Sequence, residues 1–156
     1  MSADPDPVLL AAALVFAGAA IAGSAVAIRD ELPGQPCGIS VPLTVPAGLL
    51  AGWGAGVAAP WPMPVTAVIA AARSQRTAPT ALTGAVCAGI GAGCVLGTAI
   101  EPVTYRPRSW SLATRNAIVL NMASSAALIL AGWRHWAAAR PGRPELANLG
   151  LSPGIT

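Results

Sequence analysis

Lysine is absent from the chain, and histidine, phenylalanine and tyrosine occur once each. All nine basic residues are arginines, set singly or in small groups between apolar runs. A nucleic-acid binder would concentrate them in a stripe, so the pattern excludes nucleic acid and suits lipid headgroups. Charged residues of either sign make up only 10% of the chain, against 54% hydrophobic residues. With a mean hydropathy of +0.63, 156 residues cannot be coated as a soluble globule. The bilayer is expected to be the solvent for much of the surface.

Cysteine is also scarce, and three is an odd number that makes no disulfide framework. Cys87 and Cys94 lie seven apart, about 10 Å of helical rise, which is too far for a mutual bridge. Cys37 falls in a polar loop and could pair only between chains. All three read as free thiols used as small apolar fillers. His135, alone among Trp133, Arg134 and Trp136, has no neighbouring carboxylate or thiol cluster and so predicts no metal site. No glycine-rich phosphate loop, nucleophile elbow, HExxH motif or pair of carboxylates is present. The chain therefore gives an enzyme little to work with, and no cofactor is expected.

What is present is a series of apolar segments. Residues 8–28 are uncharged, about 31 Å as a helix, matching a hydrocarbon core of roughly 30 Å. Ala25 and Ala27 are spaced like a small-residue cleavage site, but the lead of residues 1–7 carries Asp4 and Asp6 and no base, unlike a secretory signal. This lead is expected to be disordered. Residues 29–44 form a loop rich in proline and glycine. The second segment, 46–72, has no charge over 27 residues and would reach about 40 Å as one helix. Pro60, Pro62 and Pro64 cannot all continue a regular helix, because each lacks a backbone donor. The segment is thus predicted to be a sharply kinked span or a broken, re-entrant element. Residues 82–100 give a third span and 117–136 a fourth. Residues 140–156 read as a flexible tail.

The fold predicted from this pattern is an all-α integral membrane protein of four transmembrane helices, the second kinked or broken by prolines. Counting arginines near the span ends orients it. Four spans place Arg73, Arg76, Arg134, Arg140 and Arg143 on the side of both termini, against Arg29, Arg106, Arg108 and Arg115. A re-entrant second segment instead gives three spans and six arginines against three. Either arrangement puts the C-terminus in the cytoplasm, with the cell membrane as the location.

Two features stand out as functional candidates. Gly89, Gly93 and Gly97 recur every four residues, as do Gly48, Gly52 and Gly56. In lipid such small-residue faces let helix backbones approach closely. The bland outcome is that segments two and three pack on one another within one chain; the alternatives are a homo-oligomer or a partner membrane protein. The second candidate is Glu101, the acidic residue nearest a span interior. At the end of a helix already about 28 Å long, it is expected at the headgroup boundary. There Tyr105 is a natural interfacial aromatic, and Arg106 and Arg108 could join Glu101 in a headgroup or anion site. Asn121, Ser124 and Ser125 share one face of the fourth span and read as hydrogen-bonding glue between helices.

The function favoured by these residues is a non-enzymatic packing, scaffold or accessory-subunit protein among membrane lipids. A small-solute or lipid transporter with Glu101 as its charged group is the alternative, and an enzyme acting on a lipid headgroup comes third. A polar cavity meeting the segment PWPMP would favour transport, and a dry bundle would favour the scaffold.

Overall fold

The computed structural model describes residues 5–76, 80–106 and 110–140. Five α-helices follow in order: α1 (Pro7–Arg29), α2 (Val45–Ala51), α3 (Pro62–Arg73), α4 (Ala81–Ile100) and α5 (Leu112–Ala138). Among the described residues no strand forms; there are only isolated bridges, Pro33 to Ala55 and Ala55 to Ala58. The all-α expectation holds. Three helices, α1, α4 and α5, are long and apolar enough to cross a membrane, which points to a membrane protein. The tail from residue 141 onward and residues 1–4 of the lead lie outside the described residues.

Each long helix begins at a side chain that supplies the acceptor its first turn needs. Asp6 accepts from Leu9 N at 3.1 Å, with Pro7 at the first helical position. Thr80 accepts from Thr83 N at 3.3 Å, and Ser111 from Thr114 N at 3.0 Å. Capping by Ser111 starts α5 five residues before the predicted 117, so Arg115 lies on the helix rather than in a loop. Pro7, expected in the lead, belongs to α1.

The second apolar segment forms no single span. α2 has seven residues and ends at Gly52, with φ +89°. Gly54 follows at φ +82°. Both sit in the left-handed region that glycine occupies without a Cβ penalty. The chain then runs irregularly to α3, where Pro62 and Pro64 occupy the first turn, the place where a missing N–H costs nothing. The break is therefore made by glycines upstream, and the prolines start the next helix instead of kinking one. Neither half reaches across a bilayer: twelve residues of α3 rise only about 18 Å. Yet the pair joins the two ends of the bundle. Gly56 N donates to Leu32 O at 3.2 Å, just beyond the C-terminal end of α1. Gln75 Nε2 donates to Asp6 O at 2.8 Å, at its N-terminal end.

The core is built from small side chains. Leu9, Ala13, Phe16 and Ala20 of α1 meet Ala67 and Ala71 of α3, Cys87 and Cys94 of α4, and Leu128 and Ala131 of α5. The most extensive contact is between α4 and α5, and glycines decide it. A Cβ at Gly91 would lie 2.6 Å from Ser125 O, and one at Gly132 would lie 2.6 Å from Ala88 N. One at Gly84 would collide with the backbones of Gly132 and Trp136. By contrast, a Cβ at Gly89, Gly93 or Gly97 would meet nothing within 4 Å. The close-packed glycines of α4 are thus Gly84 and Gly91, seven apart, and their partner is α5 rather than the second segment. Gly52 ends a helix and Gly56 lies in the break, so these two form no helical face with Gly48.

Candidate functional site

The break in the second segment, the C-terminal half of α4 and the middle of α5 line a partly open cavity of about 120 Å³. Gly93 and Gly97, which carry no side chain to fill it, lie along one wall; Gly54, Ala58, Pro60 and Met63 form the other. Three polar groups line it: Thr98, Glu101 and Asn121. All are buried, Glu101 at 6% and Asn121 at 2% exposure.

Helix geometry brings them together. α4 and α5 run antiparallel, so Thr98 near the end of one faces Asn121 of the other, and Asn121 Nδ2 donates to Thr98 Oγ1 at 2.7 Å. Among the described residues Asn121 Oδ1 has no hydrogen-bond partner, nor does Ser125 Oγ one turn further along. A buried acceptor left open costs free energy unless water or a ligand completes it. Beyond Ile100 the chain folds back in a short turn over Pro102–Tyr105, which Thr104 fastens by donating to Thr98 O at 2.6 Å. The turn points Glu101 inward. Both carboxylate oxygens accept from one amide, Gln35 N, at 3.1 and 2.9 Å. Burial pushes the Glu101 carboxyl above its ordinary range, and the Gln35 amide offsets this only in part.

Two tryptophans hold the opposite wall. Trp53 Nε1 donates to Gly34 O at 2.9 Å, and Trp61 Nε1 donates to Ser24 Oγ of α1 at 3.1 Å. The polar lining of the cavity is therefore a carboxylate, a hydroxyl and an amide side chain, those of Glu101, Thr98 and Asn121.

Of the residues expected to form a headgroup site with Glu101, Tyr105 does not turn toward the cavity. Glu101 turns into the bundle, whereas Tyr105 is 71% exposed, its hydroxyl donating to Ala99 O at 2.5 Å. Arg106 is exposed, and Arg108 lies outside the described residues. Sequence reasoning had Glu101 and Asn121 as separate features; the antiparallel register of α4 on α5 joins them.

A second polar cluster closes the other end of the bundle. Asp6 Oδ2 lies 2.9 Å from His135 Nδ1, and Arg134 bonds Asp6 Oδ1. His135 is 2% exposed, and its Nε2 has no partner among the described residues. Burial works to raise the Asp6 carboxyl, but the bonds from His135 and the Leu9 amide, with the charge of Arg134, overcome it and hold the group below its ordinary range. The carboxylate missing beside His135 in sequence thus arrives from 129 residues away. At the Glu101 end, Asp30 is drawn down to about 2 by Arg29, despite some desolvation, with Ser111 and Thr114 assisting.

Among the described residues, no three or more His, Cys, Asp or Glu side chains gather where they could hold a metal ion. The chain matches no protein-family model, no curated protein and no solved structure.

Proposed function

We propose that the chain is a multi-pass membrane protein that binds a small cation or cationic solute at Glu101 and passes it across the bilayer. The observation that carries this is a buried carboxylate sharing a cavity with the unpartnered Asn121 Oδ1, against a discontinuous membrane segment. Irregular backbone at membrane depth is tolerated where it lines a cavity, and transporters build substrate and ion sites at such interrupted helices. A buried carboxylate selects a positively charged or donor-rich occupant. The volume suits a few waters or one small ion rather than a lipid. In this reading α2 and α3 together make the second of four crossings. The Asp6 end, with the C-terminus, faces the cytoplasm, because it carries the larger share of arginines, and the location is the cell membrane.

The test is flux in liposomes containing the full chain, with sodium, potassium, ammonium and Ag(I) supplied one at a time under an imposed potential. Uptake of at least one of them, abolished by Glu101→Gln, supports the reading. Equal uptake by the variant, or none by the wild type, defeats it.

A second reading, docking of a partner membrane protein or a second copy, draws on one observation: Gly89 is exposed, with nothing against it. Gly89→Leu would then reduce the size of the assembly in detergent. A headgroup enzyme has less support, since Glu101 is buried away from the exposed Tyr105.

A further inference from the structure

The same cavity carries two sulfur atoms on facing helices. Cys94 Sγ of α4 lies 3.4 Å from Met63 Sδ of α3, and both residues line the cavity. The other cysteines are placed differently. Cys37 is exposed in its loop. Cys87 is buried two turns along α4, its Sγ 3.9 Å from Ala67 O, away from the cavity.

Thiolate and thioether sulfurs are soft donors that select Cu(I) and related ions over sodium, magnesium or calcium. Sulfurs 3.4 Å apart would subtend about 95° at an ion with metal–sulfur bonds of about 2.3 Å, so the two side chains must swing slightly apart within the cavity to reach trigonal or linear coordination. Such a pair escapes a search for clustered histidine, cysteine and carboxylate, because one member is a methionine. The same cavity is lined, about two helical turns further along α4, by the buried Glu101 carboxylate, and by Asn121, whose Oδ1 has no partner among the described residues.

We propose that the cavity is a site for a soft monovalent cation, Cu(I) or Ag(I), held between Cys94 Sγ and Met63 Sδ, with Glu101 as the carboxylate at the far end of the same cavity. This rests on the reading of the cavity as a cation site and names the class of ion. On binding, the Cys94 S–H bond breaks and a sulfur–metal bond forms. Met63 donates a lone pair, the thiol proton leaves to solvent, and the metal keeps its oxidation state.

The full chain, purified in detergent, is titrated anaerobically with Cu(I) in competition with a chromophoric chelator, and separately with Ag(I). The expected result is one ion per chain, with affinity reduced about tenfold or more by Cys94→Ser and by Met63→Leu, and unchanged by Cys87→Ser or Cys37→Ser. Should either cavity variant elute as an aggregate, the wild type still decides the matter: Ag(I) must protect Cys94, and leave Cys37 open, against a membrane-permeant maleimide read by mass spectrometry. No binding by the wild type, or binding that survives Cys94→Ser and disappears with Cys37→Ser, overturns the proposal. Two outcomes separate it from the transport reading. If Ag(I) fails to bind while Glu101→Gln still abolishes flux, the soft-ion assignment falls and transport stands. If Ag(I) binds at Cys94 and Met63 while flux ignores Glu101, the ion site stands and transport falls.

Discussion

Gly91→Ala and Gly89→Ala change the same residue type on the same helix, two positions apart, and should differ sharply. At Gly91 the new methyl would lie 2.6 Å from Ser125 O, 2.8 Å from Ile129 Cγ1 and 3.1 Å from Ile129 N. The side-chain atom can rotate away, but the two backbone atoms cannot, so α4 and α5 must separate along their most extensive contact. Overpacking of this kind costs about 1–3 kcal/mol. In water, Ala would recover about 1 kcal/mol through helix propensity. In lipid or detergent the unfolded chain stays largely helical, because its backbone groups find no water, so little of that gain appears. At Gly89 a methyl meets nothing within 4 Å, and the change should stay within about 0.5 kcal/mol of wild type. Unfolding followed by circular dichroism in mixed micelles of increasing sodium dodecyl sulfate fraction measures both. A Gly89 variant as destabilised as the Gly91 variant, or a Gly91 variant indistinguishable from wild type, would refute the assignment of the α4 packing face. The four-residue glycine pattern seen in the sequence predicts the opposite order.

Asp6→Ala removes the cap on Leu9, worth about 1 kcal/mol, and strands the buried His135 Nδ1, worth about 1–3 kcal/mol; the bond to Arg134, an exposed side chain, adds little. Because the folded carboxyl lies below its ordinary value, its contribution is complete above the unfolded carboxylate range and is lost as pH falls through the lower folded value. The gap in melting temperature between wild type and variant should therefore narrow on acidification, and a gap that widens would contradict the cluster. In sealed vesicles, a membrane-impermeant maleimide should reach exposed Cys37 from one side only, and a cysteine replacing exposed Arg76, in a chain otherwise lacking Cys37, from the opposite side. Labelling of both from one side would remove the second crossing.

The parts of the fold legible in the sequence are those governed by hydropathy and capping. α1 and α4 begin and end within a residue of the apolar runs, because Asp6 and Thr80 mark their starts and a charge marks each end. α5 begins early because Ser111 caps it and Arg115 can extend from an exposed helical position, its charged head kept in polar surroundings. The break was legible as a break but not in its place: PWPMP draws the eye, while the turn depends on positive φ at Gly52 and Gly54, which no hydropathy pattern carries. The packing glycines were missed for a rotational reason. A stripe every four residues says which residues share a face of α4, but not which face meets α5. Helix length ends α4 just before Glu101; its inward direction comes from the turn over Pro102–Tyr105 and from Gln35, a loop residue 66 positions earlier. The pairing of Asp6 with His135 depends on the antiparallel return of α5 and has no local signal.

The two walls of the cavity are held by different kinds of interaction, and this bears on how an occupant would enter. Thr98, Glu101, Cys94 and Asn121 belong to α4, its end, and α5, whose backbones meet at Gly84, Gly91 and Gly132. Close-packed interfaces resist continuous deformation, so this wall is the fixed one. The facing wall is irregular backbone and the first turn of α3, fastened by separate bonds: Trp61 Nε1 to Ser24, Trp53 Nε1 to Gly34, Gly56 N to Leu32. Each contributes about 0.5–1.5 kcal/mol, small enough for a ligand's differential affinity to offset. The Gln35 amide is tied to the same decision, because it donates to both oxygens of Glu101. A cation that took over those oxygens would weaken the bond holding the loop of residues 29–44 to the end of α4. Access to Glu101 and the position of that loop are then one equilibrium, and the movable parts are the loop and the broken segment rather than the glycine-locked helix pair.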